Sequence, residues 1–460
     1  MTQPYWLPDA VFYQIFPDRF ANGDPTNDPP RVAPWGSPPT IWNFMGGDLR
    51  GILQKLDYLL DLGVNALYLN PIFQATSNHR YNISDYYRID PKLGTMADFR
   101  ALLAACHANG VRLILDGVFN HTGRGFFAFN DILENGEHSP YRDWYHIRRW
   151  PVRAYGEGPA EDYDAWWGFR SLPKLNTANP AVREFIFGVA RYWVEQGIDG
   201  WRLDVPNEID DEAFWQEFRA VVKTANPDAY LVGEIWTAEP RWLQHFDGLM
   251  HYPLREALLA LLRGELSASA FAARAEELYH LTGAQALSMY VPLGSHDTER
   301  VRTLLGGAEK TRLAFALQMA FPGAPAIYYG DEIGLEGGKD PDNRRAFPWE
   351  RAAWDHDLRA WVQRLIALRK RTPALKRGTF RIVAAKDKQN CLAFARSLGA
   401  EAVLVVLNTS RVQRHCHLPV ADLGWEDGRI VRDLLGGAEG IVAGDTLHWD
   451  LPGQHVAWLA

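Results

Sequence analysis

The chain has 460 residues, of which 47% are hydrophobic and 23% are charged, as is typical of a soluble globular protein. This length exceeds one ordinary core and suits a large α/β domain with a smaller partner domain. The net charge of −8, with no basic stripe, argues against nucleic acid as a partner. No uncharged apolar run reaches the roughly 18 residues that a membrane helix needs, so we expect no membrane partner.

The N-terminal segment MTQPYWLPDAVFYQIF lacks a basic region followed by an apolar core. It therefore predicts no secretory signal and a cytoplasmic protein. The cysteines are few, odd in number and far apart in sequence, at Cys106, Cys391 and Cys416. With no C-x-x-C motif, they indicate a reducing compartment.

Eight short apolar runs predict strands, and amphipathic helical stretches separate most of them. In chain order the runs are AVFYQIF, GVNALYLNPI, GVRLILDGVFNH, GIDGWRLDV, AYLVGEIW, FDGLMHY, LSMYVPLGSHD and APAIYYGDEI. Several are apolar on both faces, as in a fully buried parallel sheet. The pattern predicts an α/β protein with a closed (β/α)₈ TIM barrel, in which FDGLMHY is the weakest strand.

Two regions break this alternation. Residues 122–180, after the third strand, are rich in Trp, Tyr, Pro and charge and have weak periodicity. From residue 375 to residue 460, short alternating segments predict an antiparallel β-sandwich. We assign residues 1–121 and 181–374 to the barrel, 122–180 to an inserted domain and 375–460 to a C-terminal β domain.

Aromatic residues make up 13% of the chain and include 18 tryptophans. This surplus has two interpretations. The rings either fill the core, or some of them form flat platforms on which the apolar faces of sugars stack. Composition alone does not decide between them.

Polar side chains collect at the carboxyl ends of the predicted strands, where barrels of this kind place their sites. They are Asp116, Asn120, His121, Arg202, Asp204, Glu234, His296 and Asp297. Taken singly, each has a structural interpretation as a helix cap, a hydrogen-bonded histidine or half of a buried ion pair. Their convergence on one rim favours a catalytic site.

Three carboxylates with an arginine and two histidines, and no Cys or Ser nucleophile motif, favour glycoside hydrolysis. A retaining enzyme needs one carboxylate as nucleophile and another as general acid, roughly 5–5.5 Å apart. We expect neighbouring carboxylates to raise the pKa of the acid, and Arg202 to keep Asp204 ionised. A metal hydrolase is the rival class, but no H-E-x-x-H or H-x-H spacing supports it at this rim.

Four motifs, DGVFNH, GWRLDVPNE, GEIW and GSHD, together with LPKLN at Leu172–Asn176, occur in the order typical of one family. By these motifs the chain resembles the α-amylase family, glycoside hydrolase family 13, over nearly its whole length. The wording is most similar to the neopullulanase, cyclomaltodextrinase and maltogenic amylase group. Members of that group carry an extra N-terminal β domain, which we expect to be lacking here because the first strand begins near Ala10.

The resemblance implies a role for each matching residue. Asp204 would be the nucleophile that forms a β-glycosyl–enzyme intermediate, Glu234 the general acid and base, and Asp297 the group that stabilises the transition state. Arg202 would orient Asp204, with Asp116 behind it. The residues implied to bind sugar are Tyr81, His121, Arg202 and His296 around the reacting ring, and Asp340 and Arg344 at the next ring.

The implied activity is retaining hydrolysis of α-1,4-glucosidic bonds in cyclodextrins, maltooligosaccharides and related α-glucans, with transglycosylation as a side activity. A general α-amylase, an α-glucosidase or a transferase on the same scaffold is the alternative, and a non-catalytic glucan-binding relative is another. The chain departs from the family at Asn82, Pro206 and Thr237, which border the acceptor side of the cleft. These departures leave linkage and product preference open, and the sequence leaves oligomeric state open.

The loop ANGDPTNDPP and the downstream GGDLRG are rich in oxygen ligands of the kind that calcium prefers. The loop alone also fits an Asx-rich turn. The resembling group carries a calcium site with this spacing, so the resemblance implies structural Ca²⁺. The implied ligands are Asn22, Asp24, Asn27, Asp28, Asp48 and the backbone carbonyl of Gly46.

Overall fold

Strands and helices alternate up to residue 377, and strands joined by turns follow, in a computed structural model that describes residues 3–460. The strands are β1 (Phe12–Ile15), β2 (Ala66–Leu69), β3 (Phe73–Ala75), β4 (Ile83–Ile89), β5 (Arg112–Gly117), β6 (Gly200–Leu203), β7 (Tyr230–Gly233), β8 (Gly248–Leu249), β9 (Tyr290–Pro292), β10 (Ala324–Tyr328), β11 (Thr379–Lys386), β12 (Cys391–Leu398), β13 (Glu401–Asn408), β14 (Arg414–Pro419), β15 (Ile430–Arg432), β16 (Glu439–Ala443), β17 (Thr446–Leu451) and β18 (His455–Leu459). The helices are α1 (Pro17–Phe20), α2 (Leu49–Gln54), α3 (Leu56–Leu62), α4 (Met96–Ala108), α5 (Phe127–Asn135), α6 (Pro180–Glu195), α7 (Glu212–Ala225), α8 (Tyr252–Arg263), α9 (Ala268–Thr282), α10 (Val301–Leu305), α11 (Ala308–Ala320), α12 (His356–Arg371) and α13 (Pro373–Arg377). Met1 and Thr2, which belong to the segment used to predict the absence of a secretory signal, lie outside the described residues.

Eight parallel strands form the predicted barrel, in the order β8-β7-β6-β5-β2-β1-β10-β9. A parallel bridge between Met250 and Tyr290 closes the ring. Each of the eight predicted strands overlaps one of these, so the predicted TIM barrel is confirmed. The weakest predicted strand, FDGLMHY, forms only the two residues of β8, where a side chain at Gly248 would lie 2.0 Å from the Ser288 carbonyl oxygen.

The interior of the barrel is a packed core. Its strands are buried along their whole length because helices cover the outside and side chains fill the inside. The inward residues include Phe12, Ala66, Tyr68, Ile114, Tyr230, Val232, Tyr290, Ala324 and Ala326. Polar side chains begin only at the carboxyl ends of the strands, so the fold exposes them on one face.

The helices start at sequence signals that satisfy their first free N–H groups. Helix α4 begins with a capping box, in which Thr95 and Asp98 accept hydrogen bonds from each other's backbone N–H. Helix α6 has Asn179 as its cap and Pro180 at its first position, where the missing N–H costs nothing. These caps fix the point at which each helix leaves the barrel rim.

The inserted segment 122–180 contains helix α5 and otherwise only isolated bridges, such as those joining Tyr145 to Leu175 and Ile147 to Tyr163. Few regular hydrogen bonds explain its weak sequence periodicity. A bridge between His121 and Lys174 fastens it beside β5. The antiparallel pair β3–β4, which the sequence analysis did not predict, forms a second excursion after β2.

Two antiparallel sheets, β11-β12-β13-β18 and β14-β17-β16-β15, pack face to face in the C-terminal domain and confirm the predicted sandwich. Their shared core brings the Sγ atoms of Cys391 and Cys416 within 2.9 Å, although the two cysteines are distant in sequence. Both are free thiols. Proximity of these two thiols could not be read from the sequence, because it depends on how the two sheets face each other.

Two buried arginines fasten this sandwich and α12 to the carboxyl end of α11. Arg396 on β12 donates to the carbonyl oxygens of Ala320 and Gly378, at 2.6 and 2.9 Å. Arg369 on α12 donates to the carbonyl of Met319 at 2.7 Å. The last carbonyls of a helix have no partner within the helix, so guanidinium donors here stabilise both the helix and the domain contact.

None of the described helices combines the length and the apolar character required to cross a bilayer.

Candidate active site

The predicted rim residues meet at the carboxyl ends of adjacent barrel strands. Asp116 lies on β5, Arg202 on β6, and Glu234 directly after β7. Asp204 follows β6, and the segment carrying His296 and Asp297 follows β9. Parallel strands bring these ends to the same side of the barrel. Asp297 opens onto the cleft, whereas the others are buried.

Arg202 is the centre of the site. One terminal nitrogen, Nη1, lies 2.8 Å from Asp116 Oδ1 and 2.8 Å from Asp204 Oδ1. The other, Nη2, lies 2.9 Å from Glu234 Oε2. The planar guanidinium therefore holds the proposed nucleophile and the proposed acid as neighbours in a fixed arrangement. Both Arg202 and Asp204 face the rim because residues two apart on a strand point to the same side.

One guanidinium shared among three carboxylates does not keep Asp204 in its ordinary ionisation range, so that prediction was wrong. Burial raises the pKa of Asp204 well above 3.8, and Arg202 only partly opposes this. The neighbouring charges of Glu234 and Asp116 raise the pKa further. Because these groups interact strongly, they titrate as a unit that retains a proton in the site. A general acid requires such a proton.

The backbone after Asp204 is strained in a way that serves the site. Val205 has φ of 35°, in the left-handed region that β-branched residues rarely adopt. Such conformations cost about 1–3 kcal/mol and persist where the surroundings impose them. Here the Val205 N–H points at Glu234 Oε2, at 3.0 Å. The strain therefore gives the carboxyl of Glu234 a fixed backbone donor.

The unusual Pro206 has a local structural explanation. It is buried and begins the 3₁₀ turn Pro206–Glu208, where its fixed φ is favourable and its missing N–H is not needed. The carbonyl of Glu208 then accepts a 2.8 Å hydrogen bond from Lys174 Nζ of the inserted domain. The turn thus connects the nucleophile strand to that domain.

Tyr81 and His296 form a neutral polar pair beside the carboxylates. The Tyr81 hydroxyl lies 2.6 Å from His296 Nε2 and donates to Asp116 Oδ2 at 2.7 Å. The two rings are nearly parallel, with centroids 5.3 Å apart. The Gln14 amide lies 2.9 Å from His296 Nδ1. Burial, with Arg344 and Arg202 nearby, lowers the pKa of His296 well below 6.5, so the ring is neutral.

His121 presents an unused ring nitrogen. Its Nε2 atom is buried and has no hydrogen-bond partner among the described residues. Burial lowers the pKa of His121 to about 3, so the ring is neutral. It stacks on Trp166, which in turn stacks on Trp167 at a centroid distance of 4.7 Å. Trp167 is 77% exposed, so the pair forms an open aromatic surface beside the site.

Asp297, Arg344 and Asp340 form the opposite side of the cleft. Arg344 Nη2 lies 3.4 Å from Asp297 Oδ1, and its Nη1 lies 3.1 Å from Asp340 Oδ1. Although 32% of the Asp297 side chain is exposed to the cleft, the surrounding protein raises its pKa, as does the charge of Glu234. Arg344 opposes that effect. The structure thus brings all nine predicted catalytic and sugar-binding residues to one cleft.

Sequence reasoning missed Trp236, which directly adjoins the proposed acid. Its indole Nε1 donates to Glu234 Oε1 at 3.2 Å, and its ring stacks on Tyr252 at 3.8 Å. The ring is 45% exposed, so it lines the cleft. The available signal was the tryptophan at the end of GEIW in a chain rich in tryptophan. Gln14 was also missed, and its signal was a lone polar residue inside the first apolar run.

The predicted calcium ligands gather in the loop after α1 and at the start of α2. Asn22 Nδ2 donates to Asp28 Oδ1 at 2.9 Å, and Asn27 Nδ2 donates to Asp48 Oδ2 at 3.0 Å. The carbonyl oxygens Asn22 Oδ1 and Asn27 Oδ1 are buried without a hydrogen-bond partner among the described residues. Buried oxygens without donors are what a cation site leaves behind, so the donor chemistry fits Ca²⁺.

Gly46 and Asp24 refine this arrangement. Gly46 has φ of 81°, and a Cβ there would lie 2.2 Å from Asp28 Oδ1, so only glycine permits the close approach. The Asp24 carboxylate is engaged by Thr26 and Arg50, at 2.6 and 2.9 Å. Its side chain is therefore directed away from the unpaired oxygens.

With this geometry established, similarity to known proteins identifies the class. Residues 14–375 match the family model described as alpha amylase, catalytic domain, and residues 380–458 match maltogenic amylase, C-terminal domain. The chain belongs to the α-amylase family, and it is an enzyme of the glycosidase class.

The relatives narrow this further. The chain is 44% identical to a cyclomaltodextrinase of Geobacillus thermopakistaniensis, over 98% of this chain and 76% of that protein. It is 46% identical to neopullulanase 2 of Thermoactinomyces vulgaris, over 95% and 75% respectively. The solved cyclic α-maltosyl-(1→6)-maltose hydrolase of Arthrobacter globiformis, in complex with cyclic α-maltosyl-(1→6)-maltose, superposes with a TM-score of 0.90 at 42% identity, covering 100% of each chain. The predicted likeness to the cyclomaltodextrinase and neopullulanase group is confirmed.

Proposed function

We propose that this protein is a retaining glycoside hydrolase that cleaves α-1,4-glucosidic bonds in cyclodextrins, maltooligosaccharides and related α-glucans. The observation that carries the proposal is the placement of Asp204 and Glu234 on two nitrogens of the Arg202 guanidinium. The names of the relatives, cyclomaltodextrinase and neopullulanase, support the substrate class.

The reaction proceeds in two displacements. An Asp204 oxygen attacks the anomeric carbon while Glu234 gives its proton to the departing glycosidic oxygen, so that the C–O bond breaks and a β-glycosyl–enzyme bond forms. Glu234 then takes a proton from water, whose oxygen displaces Asp204 from the anomeric carbon. A sugar hydroxyl in place of that water gives transglycosylation.

The other cleft residues bind and orient the sugar. His121 Nε2 and the Tyr81–His296 pair offer neutral polar atoms for hydroxyl groups. Asp297, held by Arg344, is a carboxylate directed at the reacting ring, where it stabilises positive charge in the transition state. The exposed faces of Trp167 and Trp236 supply flat surfaces for sugar rings.

Replacing Glu234 by glutamine tests this proposal. We expect kcat/KM on cyclodextrin and soluble starch to fall by about 10²–10⁴-fold, because glutamine has no proton to give. Binding of maltooligosaccharide, measured by calorimetry, should be retained. A maltosyl fluoride, whose leaving group needs no protonation, should lose less activity.

Glu217→Gln on the exposed side of α7 is the matched control and should leave activity unchanged. Wild-type protein that releases no reducing sugar from cyclodextrin, starch, pullulan or maltooligosaccharides, yet binds them, would favour the glucan-binding alternative. Products from maltoheptaose separate the enzyme alternatives, since glucose alone indicates exo-action and maltose or longer products indicate the amylase group.

The pH dependence of catalysis should reflect the raised pKa of Asp204. The nucleophile must be ionised, so its reactive fraction falls as the pH drops through its pKa. Because burial and Glu234 raise that pKa, kcat/KM on a chromogenic maltoside should decline on acidification at a pH above 3.8. An acid limb at or below 3.8 would show that Arg202 dominates after all.

We propose further that the loop of Asn22, Asn27, Asp28, Gly46 and Asp48 holds a structural Ca²⁺ ion, with Asp24 contributing only through its backbone. The two unpaired amide oxygens support this proposal. The ion would tie the loop after α1 to α2 and takes no part in the reaction.

Removing calcium should therefore destabilise the fold. EGTA should lower the Tm by several degrees, since a ligand at about 100 times its Kd stabilises by about 2.7 kcal/mol. Ca²⁺ should restore the Tm, and Mg²⁺ should not, because it keeps its waters and prefers fewer protein ligands. Asp28→Asn should abolish the response, and an unchanged Tm in wild type would reject the site. The cytoplasmic location stays a prediction.

A further inference from the structure

A cluster of three histidines lies on the exposed face of the C-terminal sandwich, outside the proposed active site. His415 and His417 are alternate residues of β14 and project to solvent, whereas Cys416 between them points into the core. His448 on β17 pairs directly with His417 across the sheet. Asp450 pairs with His415 in the same way. The strand pairing thus places three imidazoles and a carboxylate on one small patch.

The ring nitrogens of the three histidines approach one another closely. One nitrogen from each lies within 4.8 Å of the other two. The centroids of the His415 and His417 rings are 4.8 Å apart, and those of His417 and His448 are 4.7 Å apart. His415 Nδ1 lies 2.6 Å from Asp450 Oδ1, which leaves Nε2 of the same ring for another partner.

This arrangement contains the features of a transition-metal site. Imidazole nitrogens are ligands for Zn²⁺, Ni²⁺ and Cu²⁺, and a metal-bound histidine typically gives its other ring nitrogen to a carboxylate. In a tetrahedral zinc site, with bonds of about 2.0–2.1 Å, the ligand nitrogens are about 3.3 Å apart. Exposed imidazoles reach that separation by small side-chain rotations.

The surroundings favour neutral rings rather than charged ones. The Lys386 ammonium donates to the backbone carbonyl of His417 at 3.0 Å and adds positive charge at the patch. Partial burial, the other two rings and this lysine all lower the pKa of His417 below 6.5. Neutral imidazoles are the form that binds metal, so binding near neutral pH costs little proton release.

We propose that His415, His417 and His448 bind one divalent transition-metal ion of the Zn²⁺ class, with Asp450 orienting His415 and water completing the coordination. The ion bridges β14 and β17 and stabilises the sandwich. The patch lies in the outer sheet of the C-terminal domain, whereas catalysis takes place at the barrel rim, so metal binding is independent of the proposed hydrolysis. This site is also distinct in chemistry from the calcium loop, which offers only oxygen ligands.

The test uses the full chain without a histidine tag, stripped of metal and then kept in Ca²⁺ so that the oxygen site stays saturated. Titration with ZnCl₂ by calorimetry should give one Zn²⁺ per chain, and Co²⁺ should give the intense visible bands of a four-coordinate nitrogen site. Zinc should also raise the Tm of the wild type.

Variants assign the ligands. His417→Gln and His448→Gln should each weaken Zn²⁺ binding and remove the zinc-dependent rise in Tm, and Asp450→Asn should weaken binding by about 10–100-fold. His455→Gln, an exposed histidine on β18 of the other sheet, is the matched control and should bind as the wild type does. The Tm of each variant without zinc shows that it is folded.

Two results would overturn the proposal. One is the absence of saturable Zn²⁺ binding to wild type up to millimolar concentration. The other is stoichiometric binding that survives unchanged in both folded histidine variants, which would place the ion elsewhere. Neither result depends on hydrolytic activity.

Discussion

Asp204→Asn is expected to reduce kcat/KM on cyclodextrin by on the order of 10⁴–10⁶-fold, the scale seen when an enzyme loses its nucleophile. An amide oxygen does not form a stable bond to the anomeric carbon, so the covalent route closes. The fold should survive, since asparagine Oδ1 can still accept from Arg202, and Asp116 and Glu234 continue to balance the guanidinium. The measurement is initial rate together with a thermal melt.

A mechanism-based probe makes this prediction sharper. An activated fluorinated maltosyl donor should label the wild type once, and peptide mass spectrometry should place the label on Asp204. The variant should remain unlabelled. Asp210→Asn, an exposed aspartate close in sequence, should keep both activity and labelling. Label on any other carboxylate would reassign the nucleophile.

Arg202→Met should have the largest effect on stability. It leaves Asp116, Asp204 and Glu234 buried around an apolar side chain, and removing one partner of a buried charge cluster costs about 3–5 kcal/mol. Activity should be lost as well, because nothing then holds the nucleophile and the acid in place. Urea denaturation provides the free energy of unfolding.

The loss in Arg202→Met should depend on pH in a defined direction. Without the guanidinium, the three carboxyls have pKa values above those of the unfolded chain, so the native state binds more protons. Stability of the variant should therefore fall as the pH rises from 5 to 8, relative to wild type. Arg202→Lys, which keeps the charge but not the fork, should lose less. A loss that is equal at both pH values would show that packing, not charge, accounts for it.

The sequence predicted the barrel and the rim because both follow from local patterns. Each barrel strand is a short apolar run, and the site residues Asp116, Arg202 and Glu234 stand where those runs end. That rule needs no knowledge of tertiary contacts. The same rule placed Asp297 correctly, although its strand, β9, has only three residues.

Features that depend on encounters between distant segments could not be predicted. The pairing of β3 with β4 has no strong alternating pattern, and the stack of Trp236 on Tyr252 joins separate strand ends. The sharing of Arg202 among three carboxylates also depended on the folded arrangement. Sequence reasoning counted one partner for the guanidinium, so it assigned Asp204 the wrong direction of pKa shift.

The two arginines at the end of α11 bear on how divisible this enzyme is. The carbonyls of Ala320 and Met319 receive their donors from Arg396 in the sandwich and Arg369 in α12. A barrel cut off before β11 would lose Arg396 and expose Phe321, whose ring stacks on Phe394 at 4.8 Å. The sandwich therefore completes the last turn of the catalytic domain, and the two halves form one inheritable unit that recombination at the domain boundary would break.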